Sequence, residues 1–339
     1  MSKKEKIETL KLLTERSISL SELVDAMESN NLEIMGLIRE LRLDGINIVI
    51  QNRDDDIYLF NQGERELSDN NQFKFYTDDN NEFKFVAISD TRLGSKSQQL
   101  SILNDIYLKG HEMGYDNVIL CGNISAGLYP ISDIYAETNF VDDTLGQIDY
   151  IVDNYPRIEG MKTYFITGKT DDKHLKQVKI NIGKRIADSR DDMIYLGENS
   201  CDIVIDKTVM QVMSSKLGKT YTSSYRTQQQ IDSYRSEDKP DILLYGGLLQ
   251  MEKYSYRNVK CISVPSVVAT TKEMNDKRYS NTVGAWYVTI RTNKKGLLES
   301  VTAISSPYYV TGKDDYLKAK PLKLSEDGKK LVKSRSGEV

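Results

Sequence analysis

The chain has 339 residues, of which 39% are hydrophobic and 28% charged, and its formal net charge is -4. This length predicts a full hydrophobic core and more than one folded unit, and the composition excludes wholesale disorder. No stretch approaches the roughly 20 apolar residues of a membrane span, and the start of the chain lacks the apolar run of a signal peptide. We therefore predict a cytoplasmic protein without a membrane partner.

The first folded unit predicted along the chain is residues 1–62. Residues 6–16, 17–29 and 31–45 show helical spacing of apolar residues, with Ser19 or Ser21 as the cap of the second helix and Gly45 closing the third. INIVI and DIYLF then form a hairpin. Three helices followed by a hairpin is the order of a winged helix-turn-helix domain, in which the third helix reads a DNA groove. Short helical triplets also serve as dimerisation modules.

The charge of this unit bears on its partner. Residues 1–60 hold eight basic and twelve acidic residues, and 8 - 12 equals the net charge of the whole chain, -4. That acidity opposes contact with phosphates, which Lys and Arg provide. We nevertheless predict a local basic, nucleic-acid-binding face formed by Arg39, Arg42 and Arg53, to which Lys3, Lys4 and Lys6 add a basic arm.

A second, larger domain is predicted after a linker or hairpin over residues 63–82. From residue 83 to about 167, strands alternate with helices, which indicates an α/β domain with parallel strands. Five further strands and one helix follow up to residue 310, so we predict two packed sheets flanked by helices. Residues 311–339 are predicted to be a C-terminal tail, partly disordered. The three cysteines are widely spaced and odd in number, which favours buried reduced thiols over disulfides or a zinc site.

Polar turns follow five of the predicted strands, where parallel sheets usually carry their chemistry. The turns are SDTR (89–92), CGNIS (121–125), ITGKTDD (166–172), VMSSKLG (212–218) and LYGGLLQ (244–250). Their succession over roughly residues 83–270 resembles the calcineurin-like metallophosphoesterase family, whose pattern runs D-x-H, G-D, G-N-H-D, a lone H and G-H-x-H. The winged helix in front is similar to that of phage and prokaryotic members.

The resemblance implies a phosphoesterase sandwich whose metal-ligand motifs are lost. Asp90 matches the first aspartate and Asp171 the last residue of the third motif. Other residues stand where the family has ligands or a catalytic histidine, namely Arg92, Asn123, Lys169, Thr170, Ser214, Gly247 and Leu249. We therefore expect no catalytic residue, no metal and no other cofactor.

The two histidines of the chain support this expectation. A two-metal hydrolytic site needs several imidazoles, and neither His111 nor His174 stands at a matching position. We predict that both are exposed surface residues.

The charges at the strand ends suggest what replaces the metals. Without cations, Asp90 and Asp171 would face each other unpaired, which is costly in a buried site. We predict that Arg92 and Lys169 compensate these carboxylates. They form either an internal salt bridge that binds nothing or a pocket that grips phosphate.

Three functions remain open on the sequence. The preferred one is a pseudoenzyme that binds DNA through the winged helix, in transcription, replication or repair. The second is a scaffold whose degenerate active-site face is covered by a protein partner. The third is a residual phosphoesterase or nuclease in which Asp90, Asn123, Asp171 and Asp172 hold one Mg²⁺.

Overall fold

The computed structural model describes residues 3–14, 18–43, 46–53, 56–64, 73–130, 132–215, 224–235 and 239–325. Gly45, the predicted end of the third helix, and the last predicted disordered residues, 326–339, lie outside this part. So do the side chains of Arg39, Arg42 and Arg53, although their backbone is described. No helix within these ranges is long and apolar enough to cross a bilayer.

The N-terminal unit contains three helices and a small sheet. In chain order its elements are α1 (Lys3–Leu13), β1 (Ile18–Ser19), α2 (Leu20–Ala26), α3 (Asn31–Leu43), β2 (Ile46–Arg53) and β3 (Asp56–Glu64). Strand β3 lies between β1 and β2 and is antiparallel to both. Apolar residues spaced three and four apart on α2 and α3 pack together with Leu10, Ile48 and Leu59 in one core.

The larger domain holds the remaining elements. Its first half comprises β4 (Phe73–Phe75), β5 (Glu82–Ile88), α4 (Leu100–Glu112), β6 (Asn117–Cys121), a 3-10 turn (Ala136–Thr138), α5 (Thr144–Asn154), β7 (Arg157–Ile158), β8 (Lys162–Thr167), α6 (Asp172–Val178), α7 (Ile182–Ser189) and β9 (Met193–Glu198). The second half comprises β10 (Ser200–Ile205), β11 (Thr208–Ser214), α8 (Tyr225–Ser233), β12 (Ile242–Gly246), β13 (Glu252–Tyr256), β14 (Val259–Ser263), α9 (Lys272–Asp276), β15 (Gly284–Thr292), β16 (Leu298–Pro307), α10 (Asp315–Lys318) and β17 (Lys323–Leu324).

Two six-stranded sheets form the framework of this domain. One has the order β16-β15-β5-β6-β8-β9, and its four strands from β5 to β9 are parallel. The other has the order β13-β14-β12-β11-β10-β4. The segment predicted as a linker thus contributes its edge strand, β4, which pairs with β10.

Side-chain alternation along the strands explains why the sheets pack. On β5, Phe83, Phe85 and Ala87 point into a core shared with the second sheet, while Val86 and Ile88 point into a core shared with α4, α5 and α7. Helix α8 covers the outer face of the second sheet through Ile231. The prediction of a mixed α/β domain with two packed sheets flanked by helices is confirmed. All three cysteines are free and buried, as predicted.

The C-terminal segment contacts the domain well beyond residue 310. Strand β17 pairs in parallel with β7, and Leu324 is buried. Asp315 on α10 is buried too, and accepts hydrogen bonds from the backbone and side chain of Ser101. The predicted tail therefore begins with folded residues, which extend to Ser325 in the described part of the chain.

Candidate functional site

The candidate site lies where β5, β6 and β8 end. The turn after β5 is hydrogen-bonded to the turn after β6, because the amides of Asp90 and Arg92 donate to the carbonyls of Gly122 and Asn123, each at 3.0 Å. The amide of Val268 donates in turn to the carbonyl of Asp90 at 3.0 Å. Three loops that are distant in sequence are thereby held in fixed positions.

Left-handed backbone is concentrated at these turns. Asp90, Arg92 and Asn123 have φ angles of 50°, 43° and 59°, and Leu249 has 61°. A non-glycine residue in this region carries a steric cost of about 1 to 2 kcal/mol, and such residues cluster at functional sites. The hydrogen bonds between the loops hold the first three in this conformation.

Asp90 is fully buried and its carboxylate is occupied by protein donors. Arg92 Nε and Nη2 donate to Oδ1 at 3.1 and 2.9 Å, and Asn123 Nδ2 donates to the same oxygen at 3.0 Å. Ser89 Oγ donates to Oδ2 at 2.9 Å. Burial lowers the pKa of the Arg92 guanidinium, but the charge and hydrogen bond of Asp90, with smaller contributions from Tyr129 and Glu273, together raise the pKa. Arg92 and Asp90 are therefore a buried ion pair, as predicted.

Asp171 is stabilised in a way that the sequence did not predict. Its Oδ1 accepts from the amide of Ser125 at 2.9 Å and from Ser125 Oγ at 2.6 Å. Its Oδ2 accepts from the amides of Ile124 at 3.2 Å and Gly168 at 2.9 Å. Burial raises the pKa of this carboxyl to about 6 although these donors oppose the rise.

Lys169 was predicted to compensate the buried carboxylates together with Arg92, but it forms no ion pair with Asp171 in the described part of the chain. Lys169 is exposed, and backbone amides satisfy the carboxylate instead because the turns after β6 and β8 aim three N–H groups at it. Its neighbour Asp172 forms an ion pair with Lys176, one turn further along α6, at 3.5 Å.

The prediction of an exposed His174 is also wrong. This side chain is fully buried, with Nε2 at 3.1 Å from Ser125 Oγ and Nδ1 at 2.9 Å from Thr144 Oγ1. Burial lowers its pKa to about 4. His111, in contrast, lies partly exposed on α4. His174 is buried because α6 packs its inner face against the turn after β6.

These residues do not fit the metal pair that the family resemblance implies. The oxygens of Asp90 and Asp171 already accept eight hydrogen bonds from protein donors, and a guanidinium lies against Asp90. Asn123 Oδ1 accepts from the amide of Thr170 at 2.9 Å and from its hydroxyl at 3.1 Å. Within the described ranges, no group of three or more His, Cys, Asp or Glu side chains is arranged to hold a metal.

A cleft of about 520 Å³, partly open to solvent, lies above these loops. We call it the Arg92 cleft. The predicted residues that line it are Arg92, Asn123, Lys169, Thr170 and Gly247, and the others are Tyr129, Lys173, Ser215, Glu273, Met274 and Tyr279.

Positive charge dominates the lining of the Arg92 cleft. Lys173 Nζ lies 3.3 Å from the centre of the Tyr129 ring, a cation–π contact. Burial lowers the pKa of Lys173 to about 8, and repulsion from Arg92 and Lys169 adds to the decrease. Glu273 is the acidic residue of the lining, and Lys277 on α9 pairs with it.

The remaining predicted positions lie around or below this cleft. Ser214 is buried beneath it, and its hydroxyl has no hydrogen-bond partner among the described residues. A Cβ added at Gly122 or Gly168 would lie 2.7 or 2.5 Å from that hydroxyl, so both positions require glycine. Leu249 is buried in a small apolar cluster with Val268 and Met274.

Several residues of the cleft were not singled out from the sequence. Lys173 follows the GKTDD turn by one residue, and its position on α6 was the only available signal. Tyr129 and Glu273 are 144 residues apart and meet at 3.4 Å through Tyr129 Oη and Glu273 Oε2. No local pattern could have paired them.

Comparison with known proteins gives structural similarities only. An archaeal phosphodiesterase has a TM-score of 0.38 at 13% identity, covering 66% of this chain and all of its own. A predicted phosphoesterase from Streptococcus pneumoniae has a TM-score of 0.31 at 12% identity, covering 66% of this chain and 98% of its own. Zinc-bound Vps29 from Entamoeba histolytica has a TM-score of 0.34 at 11% identity, covering 66% of this chain and 99% of its own.

These neighbours are phosphoesterase-type folds at low identity. The sequence matches no protein-family model and no curated protein. Because each TM-score lies below 0.5, the geometry of the chain itself has to carry any statement about function.

Proposed function

We propose that the protein is a non-hydrolytic phosphoesterase-like protein that binds DNA through an N-terminal winged helix. The observation that carries the first half is the Asp90 carboxylate, which is bonded to Arg92, Asn123 and Ser89 and so cannot serve a cation. A charged pair of this kind preserves a buried aspartate without a metal, although it adds little net stability compared with apolar residues.

The backbone of the site supports the same proposal. Left-handed conformations at Asp90, Arg92 and Asn123 are costly, and family resemblance places all three at former ligand positions. The costly conformations are explained if the loops kept the backbone geometry of a metal site while the side chains at the ligand positions changed. The side chains then hold the loops together instead of holding metals.

The DNA-binding half rests on the topology of the N-terminal unit. Helices α1 to α3 and the antiparallel order β1-β3-β2 are the arrangement typical of a winged helix. Arg39 and Arg42 lie on α3 and Arg53 ends β2, which would be the groove-reading helix and a strand of the wing. We propose these three as the phosphate and base contacts.

One observation favours a second candidate, a protein-docking module. Leu32 and Met35 on α3 are 86% and 40% exposed, and Glu33 between them pairs with Lys6. Exposed apolar residues on a helix suit a protein partner better than phosphate.

DNA binding across a salt series tests the second half of the proposal. For the full chain we expect affinity for duplex DNA to fall steeply with salt. Arg39→Ala/Arg42→Ala should reduce the slope of log K against log [salt] by roughly 2, because each phosphate contact contributes about 0.9. The matched control Arg185→Ala/Arg235→Ala removes the same charge from exposed sites of the larger domain and should leave the slope unchanged. Absence of binding at low salt would favour the docking module.

Metal analysis and phosphodiester hydrolysis test the first half. Purified protein with added Mn²⁺ should hydrolyse no nitrophenyl phosphodiester above the buffer rate. Arg92→His should restore neither metal nor activity, because Asn123 still supplies no bridging carboxylate and Gly247 and Leu249 supply no imidazole. Stoichiometric metal in the wild-type protein would contradict the proposal and favour the residual phosphoesterase.

A further inference from the structure

We propose that the Arg92 cleft binds a phosphate group directly, without a metal, through Arg92, Lys169 and Lys173. This proposal deepens the proposed function and rests on its first half, the absence of a metal centre. It names the class of ligand for the Arg92 cleft, which the Asp90–Arg92 ion pair by itself does not identify.

Arg92 can contact a ligand while it remains paired with Asp90. Its Nε and Nη2 are used by the carboxylate, whereas Nη1 has no hydrogen bond within the described part of the chain. The residue lines both the cleft and a smaller adjoining cavity. Since Asp90 fixes the guanidinium, its remaining donors are oriented before any ligand arrives, which lowers the entropic cost of binding.

The two lysines provide the mobile charges. Lys169 is exposed at the cleft and makes no ion pair with any described residue. Lys173 is half-buried, and it faces Arg92 and Lys169 as like charges and Glu273 and Asp133 as opposite ones. Its contact with the Tyr129 ring partly replaces water and leaves N–H donors for a ligand.

Charge arithmetic selects the class of ligand. Arg92, Lys169, Lys173 and Lys277 against Asp90 and Glu273 give 4 - 2 = +2 for the cleft and its ion-pair partners. A phosphate monoester or free phosphate carries up to two negative charges near pH 7 and offers three or more acceptor oxygens. A carboxylate would neutralise only half of this charge. Thr170 and Ser215 add hydroxyl groups to the same lining.

Binding in the presence of EDTA tests the proposal. The full-length protein is titrated by calorimetry with inorganic phosphate, and with a single-stranded oligonucleotide carrying either a 5′-phosphate or a 5′-hydroxyl. We expect phosphate-dependent binding in EDTA. Equal affinity for inorganic phosphate and the phosphorylated strand assigns a free phosphate group, whereas tighter binding of the phosphorylated strand than of both other probes assigns a strand end.

Lysine variants at the cleft and away from it test whether phosphate binding depends on the cleft or on the overall charge of the protein. Lys173→Gln should weaken phosphate binding at least tenfold, as expected for the loss of one charge-assisted hydrogen bond. Lys169→Gln should weaken it to a lesser degree. Lys176→Gln removes the same charge from an exposed site of α6 and should change affinity less than twofold.

The outcomes separate this proposal from the proposed function. No binding of any probe at millimolar concentration, or equal affinity of the Lys173 and Lys176 variants, would overturn the phosphate site while leaving the non-hydrolytic fold in place. Binding that requires Mn²⁺ and is followed by hydrolysis would overturn both.

Discussion

At the scale of single residues, two buried carboxylates of one site are stabilised by different means. Asp90 has a guanidinium, an amide and a hydroxyl, whereas Asp171 has three backbone amides and a hydroxyl. Only the first arrangement was predicted, because a side chain two positions away is visible in the sequence. Backbone donors carry no residue identity, so the second was not.

His174 completes a buried chain of hydrogen bonds that includes Asp171. Ser125 Oγ donates to Asp171, so the ring must donate from Nε2 to Ser125 and accept at Nδ1 from Thr144. A neutral imidazole satisfies every partner in this chain. Protonation would place a charge in a dry site beside Lys173, which is why the pKa falls.

We therefore predict acid sensitivity that depends on His174. Its pKa is about 4 in the folded chain and about 6.5 unfolded. The unfolded state thus binds the extra proton first as the pH falls below 6.5. Between pH 7 and 5 His174 should therefore lower the unfolding free energy of the wild-type chain by about 2 kcal/mol relative to His174→Gln, since the raised pKa of Asp171 acts with the opposite sign in both chains. Urea unfolding at both pH values measures the difference.

His111→Gln is the matched control for this experiment. It removes the other imidazole, which lies partly exposed on α4, and should retain the pH dependence of the wild-type chain. A His174 variant whose stability falls in parallel with the wild type would contradict the assignment.

At the scale of elements, the structure shows which of two serines caps the start of α2. The sequence left Ser19 and Ser21 as alternative caps. In the structure, Ser19 Oγ accepts from the amide of Glu22 at 3.2 Å, and the Glu22 carboxylate accepts from the amide of Ser19 at 3.2 Å. This reciprocal capping box makes Ser19 the N-cap.

Removing this cap should loosen the N-terminal unit. Ser19→Ala should cost about 1 kcal/mol, because the amide of Glu22 at the start of α2 loses its side-chain acceptor. Hydrogen exchange of peptides from residues 20–43 should accelerate by about fivefold. Ser21→Ala, two residues away, should have less than half of this effect. An equal effect would contradict the assignment of Ser19 as the cap.

At the scale of the whole molecule, the C-terminal segment closes the larger domain. Gln99 exchanges two hydrogen bonds with the backbone of Gly312, at 2.6 and 3.0 Å. Tyr316 packs on Phe140 with ring centres 5.0 Å apart. Strand β17 follows the last strand of both large sheets in sequence and pairs with β7, which belongs to neither of them.

Truncation tests how much the described part of this segment, up to Ser325, stabilises the larger domain. Ending the chain after Val310 should lower the unfolding free energy by at least about 3 kcal/mol, because Leu324 loses its burial and several hydrogen bonds are lost. Ending it after Ser325 should change it by less than about 0.5 kcal/mol. Urea unfolding of both chains gives the comparison, and equal stability of the two would contradict the role given to this segment.

The sequence by itself determined the order of strands and helices, since periods of 2 and 3.6 are local properties. FKFVAI, NVILC and KTYFIT became the parallel strands that they predict. It missed β9 and the helices α6 and α7, and it missed β13 and β16, in which exposed residues interrupt the apolar pattern. It also placed Arg92 beside Asp90, two residues away.

Only the tertiary structure decided the composition of the site. Lys173 on α6, Tyr129 in the loop after β6 and Glu273 on α9 meet in the Arg92 cleft, and His174 turns inward rather than outward. The turns below the cleft are left-handed at Asp90, Arg92 and Asn123, and backbone hydrogen bonds between separate loops hold them in this conformation. Such bonds join residues about 30 to 180 positions apart, so no window of the sequence contains them.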